Sequence, residues 1–176
     1  FIKKLPEDSL FIDIGANQGG TSILASKIIG KFKNNKSHIL AFEPSKLNYK
    51  LLIKNININK CNNITAFNFA ISKHNSELLL SNINDENSGA TSISNSNKGE
   101  KVLGRPIKIS DLNNFNGNKN VYIKIDTEGY EMKILEAIKE LFEKKIVQKL
   151  IIEIDKINLK KFNNTPEEVY DFLDKN

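Results

Sequence analysis

Two carboxylates stand at the ends of two short apolar runs near the start of the chain. Asp13 lies in the run Leu10–Ile14, just before Gly15, and Glu43 directly follows the apolar run 39–42. Short apolar runs bounded by turn residues are typical of strands that are buried on both faces of a parallel sheet. Such sheets bind ligands at the carboxyl ends of their strands. We therefore expect Asp13 and Glu43 to meet a ligand that carries a positive charge and hydroxyl groups.

A glycine-rich segment, GANQGG over 15–20, follows Asp13. A glycine turn between a strand and a helix lets backbone N–H groups approach a ligand, because glycine has no Cβ. A phosphate-binding loop would have a lysine after its last glycine, where Thr21 stands, and a dinucleotide-binding loop would have a glycine in place of Asn17. ATP is therefore disfavoured and NAD matches poorly. S-adenosylmethionine, with a cationic amino acid and a ribose, suits Asp13 and Glu43 together.

A second group of acidic residues follows the apolar run Val121–Ile125. Asp126, Glu128 and Glu131 belong to the segment DTEGYE. At the carboxyl edge of a central strand they could hold an acceptor and remove its proton, and Asp126 and Glu128 are the catalytic candidates. Alternatively, Asp126 or Thr127 caps the next helix and the glutamates favour its dipole.

A metal site is not predicted, although three neighbouring carboxylates could bind a divalent cation. No histidine or further acid stands close to them in the sequence to complete a ligand set. Glu153 lies within another apolar run, 150–154, where an acid needs a partner or a shifted pKa. We assign it no role. His38, His74 and Arg105 are expected at strand edges and in loops.

Strands alternate with helices along the chain, which predicts an α/β fold, a Rossmann-like, doubly wound, mostly parallel sheet with helices on both faces. Strands are expected at 10–14, 39–42, 64–71, 77–80, 121–125 and 150–154, and helices at 21–29 and 166–174. Ser45 is expected to cap a helix with the apolar stripe Leu47, Leu51, Leu52 and Ile56, and a later helix has the stripe Met132, Leu135, Ile138 and Phe142. The Asn- and Ser-rich segment 81–104 is expected to be a surface excursion with a short strand at 91–94.

The chain resembles the FkbM family of methyltransferases. The matching pieces are FIDIGANQG near the start, AFEP at 41–44, NFAIS at 68–72, KIDTEGYE at 124–131 and LIIEI at 150–154, in order over most of the chain. The resemblance implies a class I fold that binds S-adenosylmethionine and methylates a hydroxyl oxygen, often on a sugar or a secondary metabolite. It also implies two further strands after 154, so we expect a fold that is truncated before its last strands.

The same resemblance implies a set of cofactor-binding residues. The methionine part is expected near the glycine-rich loop, the ribose on Glu43 and the adenine near Ala70. The residues so implied are Asp13, Gly15, Ala16, Asn17, Gly19, Glu43 and Ala70. A nucleotide-binding module without catalysis and an NAD-dependent oxidoreductase remain alternative readings.

Composition sets the remaining limits. The 176 residues suit one domain, 1–176, which we expect to be a fragment of a longer chain, and 39% hydrophobic with 27% charged residues is ordinary for a globular protein. The net charge of +5 comes from dispersed lysines, so no nucleic-acid partner is expected, and a small molecule or glycan is the expected acceptor. One cysteine and no long apolar run lead us to expect a cytoplasmic protein without a membrane span.

Overall fold

The computed structural model describes residues 5–30, 36–82, 91–94, 99–112 and 120–176. Its elements are β1 (Leu10–Ile14), α1 (Gly20–Ile29), β2 (His38–Phe42), α2 (Lys46–Ile58), β3 (Ile64–Phe67), β4 (Ala70–Ile71), β5 (Ser76–Asn82), β6 (Thr91–Ile93), β7 (Glu100–Arg105), α3 (Ile109–Leu112), β8 (Val121–Ile125), α4 (Glu131–Ala137), α5 (Lys139–Glu143), β9 (Val147–Ile152), α6 (Lys156–Lys160) and α7 (Pro166–Lys175).

Five parallel strands form the main sheet in the order β3-β2-β1-β8-β9. The strand order reverses at β1, because the chain runs outward through β2 and β3 on one side and later returns to add β8 and β9 on the other. In a doubly wound sheet this reversal opens a crevice at the carboxyl ends of the strands. The turns after β1 and β8 therefore face each other across the point where a ligand can enter.

Helices cover both faces of this sheet, as the sequence predicted. On one face, Phe11 and Ile39 pack with Ala25 and Ile29 of α1. On the other face, the apolar residues of β1 and β8 pack with α4, α5, α6 and α7 in the largest core cluster. The alternation of β1 side chains between the two faces explains why every residue of the strand is buried.

A second, four-stranded sheet in the order β4-β7-β5-β6 corrects two expectations. The segment 64–71 is not one strand, because β3 ends at Phe67 and β4 pairs with β7 in the second sheet. The break coincides with Asn68, whose side-chain amide donates hydrogen bonds to the Glu43 and Pro44 carbonyl oxygens at 3.0 and 2.9 Å. The described residues of the excursion 81–104 form more strand than expected, since β7 pairs with β5, and β6 forms within 91–94 as predicted. Its remaining residues, 83–90 and 95–98, lie outside the described residues.

Two smaller expectations need correction. Leu47 is expected on the buried stripe of α2 but is 63% exposed, whereas Leu52 and Ile56 are buried as predicted, together with Asn48. The hydrophobic pattern of the sequence misses Asn48, the first buried residue of the helix, because its side chain is polar. The last strand is Val147–Ile152 rather than 150–154, which leaves Glu153 just beyond the strand. Across the described ranges, no helix has both the length and the apolar character that a membrane crossing requires.

Gly15→Ala should destabilise the fold sharply. Gly15 has φ +78° and an added Cβ would lie 1.9 Å from the Asp126 carbonyl oxygen, so the turns after β1 and β8 would have to separate. Left-handed strain and overpacking together predict a loss of at least about 2 kcal/mol in the free energy of unfolding, measured by urea denaturation. Gly20→Ala is the matched control, because a Cβ there meets nothing within 4 Å. Equal losses in the two variants would contradict this account.

Candidate functional site

An open cleft lies where the strand order reverses. About 690 Å³ of space, part of it open to solvent, lies at the carboxyl ends of β1, β2, β8 and β9. Carboxylates from three strand ends meet here, and Leu80 and Ile93 of the second sheet form an apolar wall. The lining residues are Gly15, Asn17, Glu43, Pro44, Asn48, Leu80, Ile93, Asp126, Thr127, Glu128 and Glu153.

Glu43 bridges two loops of the cleft with one carboxylate. Its Oε2 accepts a hydrogen bond from the Asn17 backbone N–H at 2.8 Å, and its Oε1 accepts one from the Ser45 backbone N–H at 2.9 Å. The residue is only 5% exposed. Burial raises the pKa of Glu43 to about 7, although the two N–H groups oppose the shift. Glu43 is therefore a pre-positioned acceptor that changes charge near neutral pH.

Asp13 lies behind the glycine-rich loop rather than in the cleft lining. It is wholly buried, and its Oδ2 accepts a hydrogen bond from the Ser22 hydroxyl at 2.5 Å. Its Oδ1 makes no hydrogen bond and lies 3.7 Å from the Lys124 ammonium. Burial raises the pKa of Asp13, while Lys124 and Ser22 act in the opposite direction. The sequence had placed this carboxylate beside a ligand, whereas its nearest cation in the fold is a lysine.

The glycine-rich loop adopts a left-handed backbone at Gly15, Asn17 and Gly19, where φ is +78°, +49° and +89°. The backbone N–H groups of Gly15 and Ala16 both donate to the Phe42 carbonyl oxygen at 3.0 Å, which ties the loop to β2. The Asn17 side-chain oxygen is buried and makes no hydrogen bond. An unpaired buried acceptor is costly, so a donor from a ligand would satisfy it.

Like Asp13, three further implied cofactor residues do not line the cleft. Ala16 belongs to a buried cluster with Leu52 of α2, and a Cβ at Gly19 would lie 2.5 Å from a methyl carbon of that same leucine. Ala70 is buried in β4, in a cluster with Leu80, which does line the cleft. These residues shape the loop and the wall from behind.

On the side of the cleft opposite Glu43, Asp126 contacts one cation, Lys124, and one acid, Glu153. Its Oδ2 accepts a hydrogen bond from the Lys124 ammonium at 2.9 Å, and the Glu153 carboxyl donates another to its carboxylate. Burial tends to raise the pKa of Asp126, but these two partners hold it below its usual value. The hydrogen bond to Asp126 and the charge of Asp126 raise the pKa of Glu153 to about 7.

Glu128 has a left-handed backbone, φ 57°, and its Oε2 accepts a hydrogen bond from the Asn158 side-chain amide at 2.7 Å. Burial raises its pKa, and the neighbouring charges of Asp126 and Glu131 add to the shift. The alternative in which Asp126 or Thr127 caps the next helix does not hold, because α4 begins at Glu131, after a Tyr130 that makes no side-chain cap. Neither Asp126 nor Glu128 caps the helix: Asp126 binds Lys124, and Glu128 binds Asn158.

Glu131 fixes the segment between β8 and α4. It is 2% exposed, and its Oε1 accepts hydrogen bonds from the Thr127 N–H and hydroxyl, both at 3.0 Å, and from the Gly129 N–H at 3.1 Å. The sequence offered Glu131 as an acid of the site or a charge near the helix dipole. The structure gives it a third task, since one oxygen organises the loop that presents Asp126 and Glu128.

Sequence reasoning missed several residues that contact the site. Lys124 is the one charged residue of the β8 run VYIKI, and a lysine in an otherwise buried strand is a signal that could have been followed. Asn158 and Ile93 gave no comparable signal, because only the fold brings them to the cleft. Within the described ranges, no group of three or more His, Cys, Asp or Glu side chains could hold a metal ion.

Comparisons with known proteins place the chain in a family. The Methyltransferase FkbM domain model matches residues 13–176. The fold is similar to that of methyltransferase FkbM from Methylobacillus flagellatus KT, with a TM-score of 0.55 and 20% identity over 89% of this chain and 37% of that chain. No curated protein sequence matches the chain significantly.

Two further structures have a similar fold. One is precorrin-6y C5,15-methyltransferase from Geobacter metallireducens GS-15, with a TM-score of 0.51 and 15% identity over 97% of this chain and 65% of that chain. The other is a putative rRNA-methylase from Clostridium thermocellum, with a TM-score of 0.53 and 9% identity over 98% of this chain and 74% of that chain. The chain therefore has the Rossmann-like methyltransferase fold, and it spans little more than a third of the Methylobacillus protein.

Glu131→Ala should destabilise the fold more than removal of another glutamate from α4. It would leave the Thr127 and Gly129 N–H groups without their acceptor, and each lost partner of this kind costs about 1–3 kcal/mol. We expect a fall of about 2–5 kcal/mol in the free energy of unfolding, measured by urea denaturation. Glu136→Ala, which removes an exposed partner of Lys133, should cost less than about 1 kcal/mol. Similar costs for both variants would exclude the loop-fixing role of Glu131.

Proposed function

The chain belongs to the FkbM family of S-adenosylmethionine-dependent methyltransferases, and we propose that its cleft binds that cofactor and transfers the methyl group to a hydroxyl oxygen. Two hydrogen-bond acceptors carry the proposal. The Asn17 side-chain oxygen, in the loop after β1, makes no hydrogen bond, and the Glu43 carboxylate, at the end of β2, is held in place by two backbone N–H groups. S-adenosylmethionine supplies an electrophilic methyl carbon when bound. The protein's own residues must then hold the cofactor, orient the acceptor and accept a proton.

The ribose end fits Glu43. Its carboxylate is already held by the Asn17 and Ser45 N–H groups, and it lines the cleft at the end of β2. Each carboxylate oxygen has further lone pairs that can accept hydrogen bonds from two neighbouring hydroxyls. Holding the acceptor rigid before binding reduces the entropy cost of association.

The amino-acid end fits the glycine-rich loop. The unbonded Asn17 side-chain oxygen is an acceptor for an ammonium group, and Gly15 lines the cleft without a Cβ. Asp13 contributes negative charge from behind the loop through a carboxylate oxygen that makes no hydrogen bond. Ala16 and Gly19 maintain the shape of the loop. Ala70 packs with Leu80, and we assign the apolar wall that Leu80 forms to the adenine.

The acceptor side is proposed at Asp126 and Glu128, across the cleft from Glu43. A hydroxyl of a sugar or a secondary metabolite would be oriented there by carboxylates that the Glu131-bound loop holds in place. Correct placement of two reacting groups can lower a barrier by about 7–11 kcal/mol. Positioning is thus a major contribution that this site can make to methyl transfer.

S-adenosylhomocysteine binding tests the cofactor assignment. We expect a dissociation constant in the micromolar range by calorimetry and a loss of binding in Glu43→Ala and Asp13→Ala, with circular dichroism to verify folding. Glu77→Ala is a matched control, since Glu77 is exposed, forms an ion pair with Lys101 across the central strands β5 and β7 of the second sheet, and does not line the cleft. Binding of NADH instead would favour an oxidoreductase and overturn the proposal.

Methyl transfer is tested separately with tritium-labelled S-adenosylmethionine and a mixture of neutral monosaccharides and polyols. Label in the sugar fraction supports a hydroxyl acceptor. Cofactor binding without label in the sugar fraction would instead count against a sugar or polyol hydroxyl as the acceptor.

The affinity for S-adenosylhomocysteine should rise with pH between about 5.5 and 7 and level off above. The free protein holds a proton on Glu43 below its pKa of about 7, whereas ribose hydroxyls favour the ionised carboxylate, so binding at low pH must displace that proton. The expected slope approaches tenfold per pH unit. Calorimetry in two buffers of different ionisation enthalpy should show proton release at pH 6. Glu43→Gln should abolish the pH dependence, and an unchanged slope in that variant would contradict the assignment.

A further inference from the structure

Glu153 stands at the carboxyl end of β9, beside Asp126 at the end of β8. The two strands pair in parallel with Ile125 opposite Ile152, and the Glu153 backbone N–H donates to the Ile125 carbonyl oxygen at 3.0 Å. Both acidic side chains line the cleft. The sheet register therefore brings Glu153 to the acceptor side, although it is 27 positions from Asp126 in the chain.

The three acids of this side differ in what already binds them. Asp126 receives the Lys124 ammonium at 2.9 Å, which stabilises its anion and weakens it as a base. Glu128 receives the Asn158 amide at 2.7 Å. Glu153 is exposed and lines the cleft, and its side chain hydrogen-bonds with the neighbouring Asp126. Among the residues that the structure describes, neither a cation nor an amide holds Glu153 in its ionised form.

We propose that Glu153 is the catalytic residue that takes up the proton of the acceptor hydroxyl, with Asp126 as its positioning partner. This inference rests on the proposed function. The acceptor oxygen forms a bond to the methyl carbon while the carbon–sulfur bond breaks and leaves its electron pair on sulfur. The hydroxyl proton passes to the Glu153 carboxylate, which then shares it with Asp126 and releases it to solvent.

The surrounding charges favour this role. Asp126, Glu128 and Glu131 all face Glu153 with negative charge, while Lys124 offsets the charge of Asp126 and Lys161 lies near Glu128. The hydrogen bond to Asp126 and this excess of negative charge raise the pKa of Glu153 to about 7. A base with a pKa near the working pH combines a useful ionised fraction with good proton affinity, and a general base contributes typically 10² to 10⁴-fold in rate. An ordinary glutamate, with a pKa of about 4.3, would be a much weaker base.

The first arm of the test needs no acceptor. The protein is labelled with ¹³C at glutamate side-chain carboxyls and titrated by NMR in complex with S-adenosylhomocysteine, which keeps Glu43 ionised. We expect one glutamate to titrate near pH 7, to vanish in Glu153→Gln and to move to lower pH in Asp126→Asn. Glu143→Gln, an exposed glutamate paired with Lys139, should leave it unchanged. A near-neutral titration that survives in Glu153→Gln, or none at all, would overturn the proposal.

The second arm measures methyl transfer to the sugar and polyol mixture as a function of pH. Wild type and Glu143→Gln should show a rate that rises with pH through about 7. Glu153→Gln should lose 10² to 10⁴-fold in kcat and lose that rise, with its dissociation constant for S-adenosylhomocysteine within twofold of wild type. An unchanged kcat and pH profile in Glu153→Gln would refute the role of Glu153. Failure of wild type to bind S-adenosylhomocysteine would instead refute the proposed function, so the two failures are distinguishable.

Discussion

The ammonium of Lys124 is the charge on which the site depends. It lies 2.9 Å from Asp126 and 3.7 Å from Asp13, and Asp13 and Lys124 are register partners on the adjacent strands β1 and β8. A wholly buried carboxylate costs several kcal/mol without a compensating cation. One lysine at the boundary between core and cleft makes it possible to bury Asp13 and to keep Asp126 ionised. The pairing of β1 with β8 thus has an electrostatic as well as a hydrophobic basis.

Carboxylates in this protein organise the loops in addition to facing the cleft. Glu43 binds the N–H groups of two loops, and Glu131 binds those of Thr127 and Gly129. Because loop N–H groups lack the partners that helices and strands supply, each carboxylate fixes a backbone that would otherwise be free to rearrange. The acids that the sequence marks as candidates for chemistry therefore have two kinds of role, one in holding loops and one in facing the cleft. Glu131 supports the loop from inside, whereas Glu43 supports it and still faces the cleft.

The second sheet gives the cleft its apolar side. Leu80 of β5 and Ile93 of β6 are register partners, and both lie opposite the acidic strand ends. A wall of this kind excludes water from one side of the site, which strengthens the electrostatic interactions within it. Glu100 at the start of β7 also accepts a hydrogen bond from the first N–H of α2 at 3.1 Å, so the small sheet is tied to the main one near Glu43.

The sequence by itself determined the parallel sheet, the glycine turn and the family, because these depend on short local patterns: apolar runs such as Leu10–Ile14, the segment GANQGG and the capped helix that starts after Thr165. It also singled out Asp13, Glu43 and Asp126, since a carboxylate at the end of a buried strand can be recognised without any contact being known. The tertiary structure alone decided what each acid touches. Asp13 is buried behind Gly15, where its nearest cation is Lys124. The register between β8 and β9 places Glu153 beside Asp126. Side-chain partners are fixed by strand pairing over long sequence distances, and no local pattern encodes them.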